Sequence, residues 1–307
     1  MAVAEQKPTS IQSRIPLLRR STEITPIDQF FRQQIRRVPI IQQETWILSI
    51  SGLVENPVPL TYQDLQTLPT TELACTLSCI GNPLGGRWIG DAVWSGAALS
   101  SIFERADVSS DAPYLHFLCA DGYATSLRLE QLSDALLAFE MNGRMLTPEH
   151  GFPARVIVPG LYGYKMPKWI QKIELSNEPL IGYWEGRGWS ADGAVQTTAA
   201  IFNPHHGEAV SGIVTLSGIA YAGSRRVTQV EISVDGGAWM PAPISASTPH
   251  RWTSWQIDLV PPAPGEYLIK VRATDSDGFT QSERASAKPF PNGAGGLHSV
   301  VVRVANA

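Results

Sequence analysis

Charge is scarce in this 307-residue chain: lysine, arginine, aspartate and glutamate make up 17% of it and leave a net charge of −4. Ordinary domains carry about 25% charged residues. A general nucleic-acid binder needs a basic face that this balance does not supply. Cysteine is scarcer still, with Cys75, Cys79 and Cys119 as the three in the chain. An odd number leaves at least one thiol unpaired, so no disulfide framework is implied. No stretch approaches the ~18 consecutive apolar residues of a spanning helix, so no membrane span is expected here. The N-terminal stretch lacks the apolar core of a secretory signal, and Arg19-Arg20 is followed by Ser21-Thr22-Glu23 rather than an apolar run. Residues 1–23 read as a solvated arm. The expected location is cytoplasmic as written, or extracytoplasmic if a leader or anchor has been removed.

Common catalytic signatures are missing too. There is no G-x-x-x-x-G-K-[ST], no H-E-x-x-H, no G-x-S-x-G elbow and no C-x-x-C-H haem site. Gly186-x-Gly188-x-x-Ala191 imitates a dinucleotide fingerprint without the flanking strand and helix, and reads as coil. Asp275-x-Asp277-Gly278 lacks the distal glutamate of a calcium loop and reads as a hairpin turn. His205-His206 has no partner pair at zinc spacing.

What is present is 43% apolar residue, 26 glycines, 23 prolines and nine tryptophans. At roughly 150 residues per domain the chain makes about two domains. Up to Trp189, short strand patterns (TWILSISGLV, TELACTLSCIG, ARVIVPG, WIQKIEL) mix with helical ones at LTYQDLQTL, GAALSSIFERA and LSDALLAFEMNG, the last stopped by Gly143. GNPLGGRWIGDA reads as a loop, and PYLHFLCADGYATSLRL as strand, turn, strand. The absence of strict alternation predicts an α+β first domain. From Gly212 the pattern is almost purely β, as in an immunoglobulin-like sandwich. The expected organisation is therefore an arm over 1–23, a catalytic domain over 24–200 and an all-β sandwich over 201–307.

Two segments carry candidate chemistry. In Thr76-Leu-Ser-Cys79-Ile-Gly-Asn82 a cysteine leaves a strand for a glycine-rich loop, where a thiolate can act as nucleophile or metal ligand. A packed, inert cysteine is the bland alternative. Between Glu140 and Trp169, His150, Arg155, Lys165 and Lys168 stand in an apolar, glycine-punctuated stretch. Such cations suit an anionic ligand.

Together these segments resemble the sulfite oxidase family of molybdopterin-dependent oxidoreductases. LSCIGN is similar to that family's metal-binding cysteine loop, MNG…HGFPARVIVPGLYGYKMPKW to its cofactor-anchoring run, and TPIDQFFRQQ to its N-terminal cofactor-contacting stretch. VEISVDGGAW, VRATDSDG and PNGAGG resemble its C-terminal immunoglobulin-like domain. The resemblance spans residues 24–305. It implies a mixed α+β molybdopterin-binding domain followed by the sandwich, with Cys79 as the thiolate ligand to molybdenum. It further implies cofactor contacts from Phe31, Arg32, Gln33, Gln34, Asp121, His150, Arg155, Lys165, Met166, Pro167 and Lys168. Tyr123 corresponds to an active-site tyrosine, and Trp94, Arg32 and Arg187 to substrate positions. The family more often has Asn and His at Gln33 and Gln34. It also commonly places arginines after Gly-Asn, where this chain has Pro83-Leu84 and its nearest arginine is Arg87.

The implied activity is oxygen-atom transfer to or from a small oxyanion or S-/N-oxide, with an external electron carrier such as a cytochrome and a homodimer through the sandwich. S-oxide or N-oxide reduction is the alternative to sulfite oxidation. A non-catalytic binding module on a cofactor-free fold is the rival from another class, and a zinc protein using Cys75 and Cys79 is a third.

Overall fold

The computed structural model describes residues 24–305, together with the backbone of a short strand, Gln12–Arg14. Two hydrophobic cores organise the chain. The first draws on side chains from Phe30 to Leu175 and lies among two five-stranded sheets. One sheet runs in the order Arg155–Ile157, Leu136–Met141, Ile89–Ala98, Thr70–Ser78, with the two-residue Arg144–Met145 on Leu136–Met141. The other runs Val58–Thr61, Ile47–Gly52, Ile170–Ser176, Tyr114–Cys119, Ala124–Arg128, with one parallel pair, Ile47–Gly52 against Ile170–Ser176. Alternation explains the half-buried strands: in Ile47–Gly52 only Leu48 and Ile50 are fully buried. The two helices of this domain are short. Tyr62–Thr67 starts from a capping box in which Thr61 and Asp64 bond reciprocally. Leu99–Ala106 buries Leu99, Ile102, Phe103 and Ala106.

The second core lies between two sheets. One is Thr253–Val260, Val214–Tyr221 and Thr198–Asn203. The other is Ala209–Ser211, His298–Ala305, Gly265–Asp275, Val227–Val234 and Met240–Ala242. The fold is thus the expected α+β domain followed by an all-β sandwich, with most of its regular secondary structure in sheets.

Three local expectations are corrected. Leu136–Met141, read as a helix, is a central strand with every residue but Glu140 buried. A run buried on both faces carries no helical stripe to distinguish it. Asn142 and Gly143, at φ 53° and 71°, are the two-residue turn of a hairpin rather than a helix stop. The loop expected over residues 81–92 ends earlier, because Ile89 already pairs with Ser78, and the strand continues to Ala98 before the helix begins at Leu99. Finally, Gln12–Arg14, expected within a solvated arm, adds to the sandwich edge against Thr253–Val260, whose open backbone groups accept a further strand. The remainder of the arm, including Arg19-Arg20, lies outside the described residues.

Candidate active site

Cys79 follows directly on the strand Thr70–Ser78. Its N–H still bonds the Trp88 carbonyl at 2.9 Å, and its own carbonyl accepts from Asn82 N–H at 3.0 Å. The Asn82 side chain closes the loop by accepting from Trp88 N–H at 3.0 Å. These bonds turn the thiol into a cavity of about 310 Å³. Gly81 sits at one point of its wall: a Cβ there would lie 3.7 Å from Trp189 Cη2, 3.8 Å from Cys79 Sγ and 3.9 Å from Trp88 Cζ3. The thiol therefore shares its part of the wall with two indoles.

The cations line the same cavity. Arg155, on a strand of three buried residues, donates to the His150 carbonyl at 3.2 Å and the Met166 carbonyl at 3.1 Å. Its guanidinium lies 4.9 Å from the Trp94 ring, and its buried Nε has no hydrogen-bond partner. Burial lowers Arg155 to about 9, which leaves it charged at neutral pH. Burial, opposed by a hydrogen bond to the Ile27 carbonyl at 3.0 Å, lowers His150 to about 4. His150 is then neutral near pH 7, and because a carbonyl can only accept, Nε2 carries its proton. Burial, aided by Arg155, pulls Lys168 down to about 7. Its ammonium donates to the Glu149 carbonyl at 2.8 Å and stands 4.2 Å from the Trp169 ring.

The Lys168 shift predicts a pH effect. A lysine near 10.4 unfolded and about 7 folded binds fewer protons in the fold between those values. Stability from this group is then present at high pH and is lost as pH falls from about 10 to 7. The thermal midpoint of the apoprotein should fall over that window relative to Lys168→Met. Parallel curves for the two proteins would contradict the assignment.

The structure gathers Phe31, Gln33, Gln34, Cys79, Asp121, Tyr123, His150, Arg155, Met166, Pro167 and Lys168 around the cavity. Four expected residues stand elsewhere. Trp94 is fully buried behind the wall, edge-on to Phe30 at 5.9 Å. Lys165 is buried with its ammonium on Glu185 at 2.5 Å and on the Ser126 carbonyl at 2.8 Å, so its charge is already paired. Arg187 lies 3.6 Å above the Tyr183 ring and donates to the Tyr183 carbonyl. Arg32 is exposed beside a shallow neighbouring groove with Asp28 and Glu149. Tyr123 does line the cavity, but its hydroxyl donates to the Tyr164 carbonyl at 2.5 Å. Sequence reasoning missed Trp88 and Trp184 in the cavity wall, and Glu185 as the partner that holds Lys165 away from it. The signal for Glu185 is the lysine itself, since a buried ammonium demands a partner.

Among the described residues, no three His, Cys, Asp or Glu side chains gather as a metal-binding group. A metal bound at Cys79 would thus have one soft protein donor and would bring its remaining ligands with it. Unpartnered Arg155 Nε and the lowered Lys168 await an anion. A molybdenum ion carried by an anionic pterin dithiolene fits both features. Cys75 and Cys119 do not compete for it: both are buried, and burial pushes their thiols far up.

Comparison with known proteins agrees. The oxidoreductase molybdopterin-binding domain model matches residues 35–184, and the Mo-co oxidoreductase dimerisation domain model matches residues 190–288. Sulfite oxidase of Arabidopsis thaliana is 31% identical, over 72% of this chain and 70% of that protein. Human mitochondrial sulfite oxidase is 30% identical, over 91% of this chain and 61% of its own length. An NADH nitrate reductase of Brassica napus is 28% identical, over 90% of this chain and 38% of that protein. Among solved structures, the sulfane dehydrogenase SoxCD from Paracoccus pantotrophus superposes with a TM-score of 0.74 at 25% identity, covering 88% of this chain and 80% of its own. This chain belongs to the sulfite oxidase family of molybdopterin-dependent oxidoreductases.

Proposed function

We propose that the chain moves an oxygen atom to or from the sulfur (or nitrogen) of a small neutral substrate, exchanging electrons with a separate carrier such as a cytochrome. One observation carries the choice of substrate: Trp88 and Trp189 stand beside the Cys79 thiol with Trp184 in the same cavity wall, whereas Arg32, Arg87 and Arg187 do not line the cavity. Sulfite, a dianion, needs paired donors of the arginine kind. An uncharged S-oxide or N-oxide loses less on entering an aromatic wall. S-oxide or N-oxide reduction is therefore the favoured direction.

In this reading Cys79 ligates the metal, and Arg155, Lys168 and His150 hold the anionic pterin, with Gln33, Gln34, Asp121, Met166 and Pro167 beside them. Bound there, the cofactor supplies a two-electron, oxygen-accepting metal centre. The chain's own residues place the substrate. Trp189 stands edge-on to Trp184 at 6.5 Å and to Phe290 of the sandwich at 5.2 Å, contacts that hold its ring in the wall. Tyr123 acts through the Tyr164 carbonyl rather than as a free donor. A homodimer through the sandwich accords with the description of the second matching family model.

The test is a substrate panel on protein made in a host that synthesises the cofactor. Reduction of methionine sulfoxide or an amine N-oxide by a reduced dye, without sulfite-dependent reduction of an acceptor, is the expected result. Sulfite turnover with both oxides inert would overturn the substrate assignment.

A further inference from the structure

Thr70–Ser78, the strand that delivers Cys79, is the edge of its sheet, so its outer backbone groups need partners from elsewhere. The sandwich supplies them. Thr76 N–H donates to the His250 carbonyl at 2.8 Å, and Tyr221 Oη donates to the Thr76 carbonyl at 3.0 Å. Trp252 N–H donates to Thr76 Oγ1 at 2.9 Å, and Thr76 Oγ1 donates to Asp91 Oδ1 at 2.8 Å. Asp91, fully buried on the partner strand opposite Thr76, receives both Nε (2.9 Å) and Nη2 of Arg251 on its other oxygen. A third apolar cluster seals the join: Ile80, next to Cys79, packs with Tyr162, Tyr164, Val195 and Tyr221, and Trp252 lies against them.

We infer that the sandwich acts within its own chain as a clamp on the Cys79 strand, with Arg251 and Tyr221 as positioning residues that fix where the thiol stands. A domain whose matching model is described by dimerisation alone thereby takes part in building the active site. The chemistry favours this role over simple adhesion. The buried Asp91 carboxylate accepts two guanidinium N–H groups on one oxygen and the Thr76 hydroxyl on the other, which fixes its orientation, and the bonds converge on Thr76, three residues before Cys79.

The inference rests on Cys79 being the site's thiol, and its test does not use turnover. Iodoacetamide labels the full-length apoprotein, and labelling is followed by mass at each cysteine. Cys79 is half-buried, while Cys75 and Cys119 are enclosed. Loss of one local restraint raises the rate of local opening, so Arg251→Gln should label Cys79 about tenfold faster and Tyr221→Phe about threefold faster, with Cys75 and Cys119 still unlabelled. Arg251→Lys, which keeps the charge but not the two-donor edge, should label Cys79 at a rate between those of the wild type and Arg251→Gln. Arg303→Gln, which breaks an exposed pair with Glu266, should match the wild type. If Arg251→Gln fails to fold, Asp91→Asn/Arg251→Gln removes the buried charge with its partner and should still label Cys79 fast. Unchanged Cys79 labelling in these variants overturns the clamp. Labelling of all three cysteines together also overturns it, because that reports general loosening. Failure of the Cys79 reading would show separately, as turnover that survives Cys79→Ser.

Discussion

Cys79→Ser should abolish turnover while leaving the fold intact. The change swaps a soft sulfur donor for a hard, poorly ionised oxygen at the proposed protein ligand to the metal. Losing an outer-shell partner of a metal site already costs about 10–100-fold, so loss of the ligand itself should cost at least about 100-fold in kcat. The backbone bonds that set the loop, from Cys79 N–H to Trp88 and from Asn82 N–H to Cys79, do not involve the thiol. The thermal midpoint should therefore hardly move. Cys75→Ser gives the opposite pattern: a hydroxyl placed in the core costs about 1–3 kcal/mol of stability, yet activity per folded molecule should persist. Turnover and midpoint measured on both variants separate the two thiols.

Arg155→Met should weaken cofactor binding about 10–100-fold without unfolding the protein. Arg155 is 5% exposed; its partners among the described residues are two carbonyls and the Trp94 ring, with no carboxylate paired to it. Burying a cation without an anion is costly, and an apolar side chain of similar length relieves that cost. The two carbonyls left without a donor offset the relief, so the apoprotein should change little. The loaded protein should change greatly. One charge-assisted hydrogen bond is worth about 1.5–3 kcal/mol, which is roughly 10–100-fold in affinity for the anionic pterin. A ligand that binds the native state alone stabilises it by RT ln(1 + [L]/Kd), so weaker binding gives a smaller rise. The wild type should therefore show a midpoint rise on loading that Arg155→Met largely lacks. An equal rise and equal pterin content in both proteins would place the anion elsewhere.

Much of the fold was legible because half-buried strands advertise themselves by alternation, as Leu48 and Ile50 do, and because Asp235-Gly236 and Asp277-Gly278 mark turns after two of the sandwich strands. Leu136–Met141 was not, since a strand buried on both faces loses its period. The family resemblance of the LSCIGN and HGFPARVIVPGLYGYKMPKW segments implied one site for Cys79, His150, Arg155 and Lys168, and all four line one cavity. They could not reveal that Lys165 turns to Glu185 or that Trp94 stands behind the wall, because side-chain direction depends on what packs opposite. The clamp from Arg251 to Asp91 spans 160 positions, and no local pattern carries so distant a pairing.

The central claim is that Cys79 is the protein's ligand to molybdenum in this cavity. X-ray absorption at the molybdenum edge, on wild type and Cys79→Ser loaded in the same host, tests it most directly. The account predicts one fewer sulfur neighbour around the metal in the variant. Identical sulfur counts, or no molybdenum in the wild type, would contradict it.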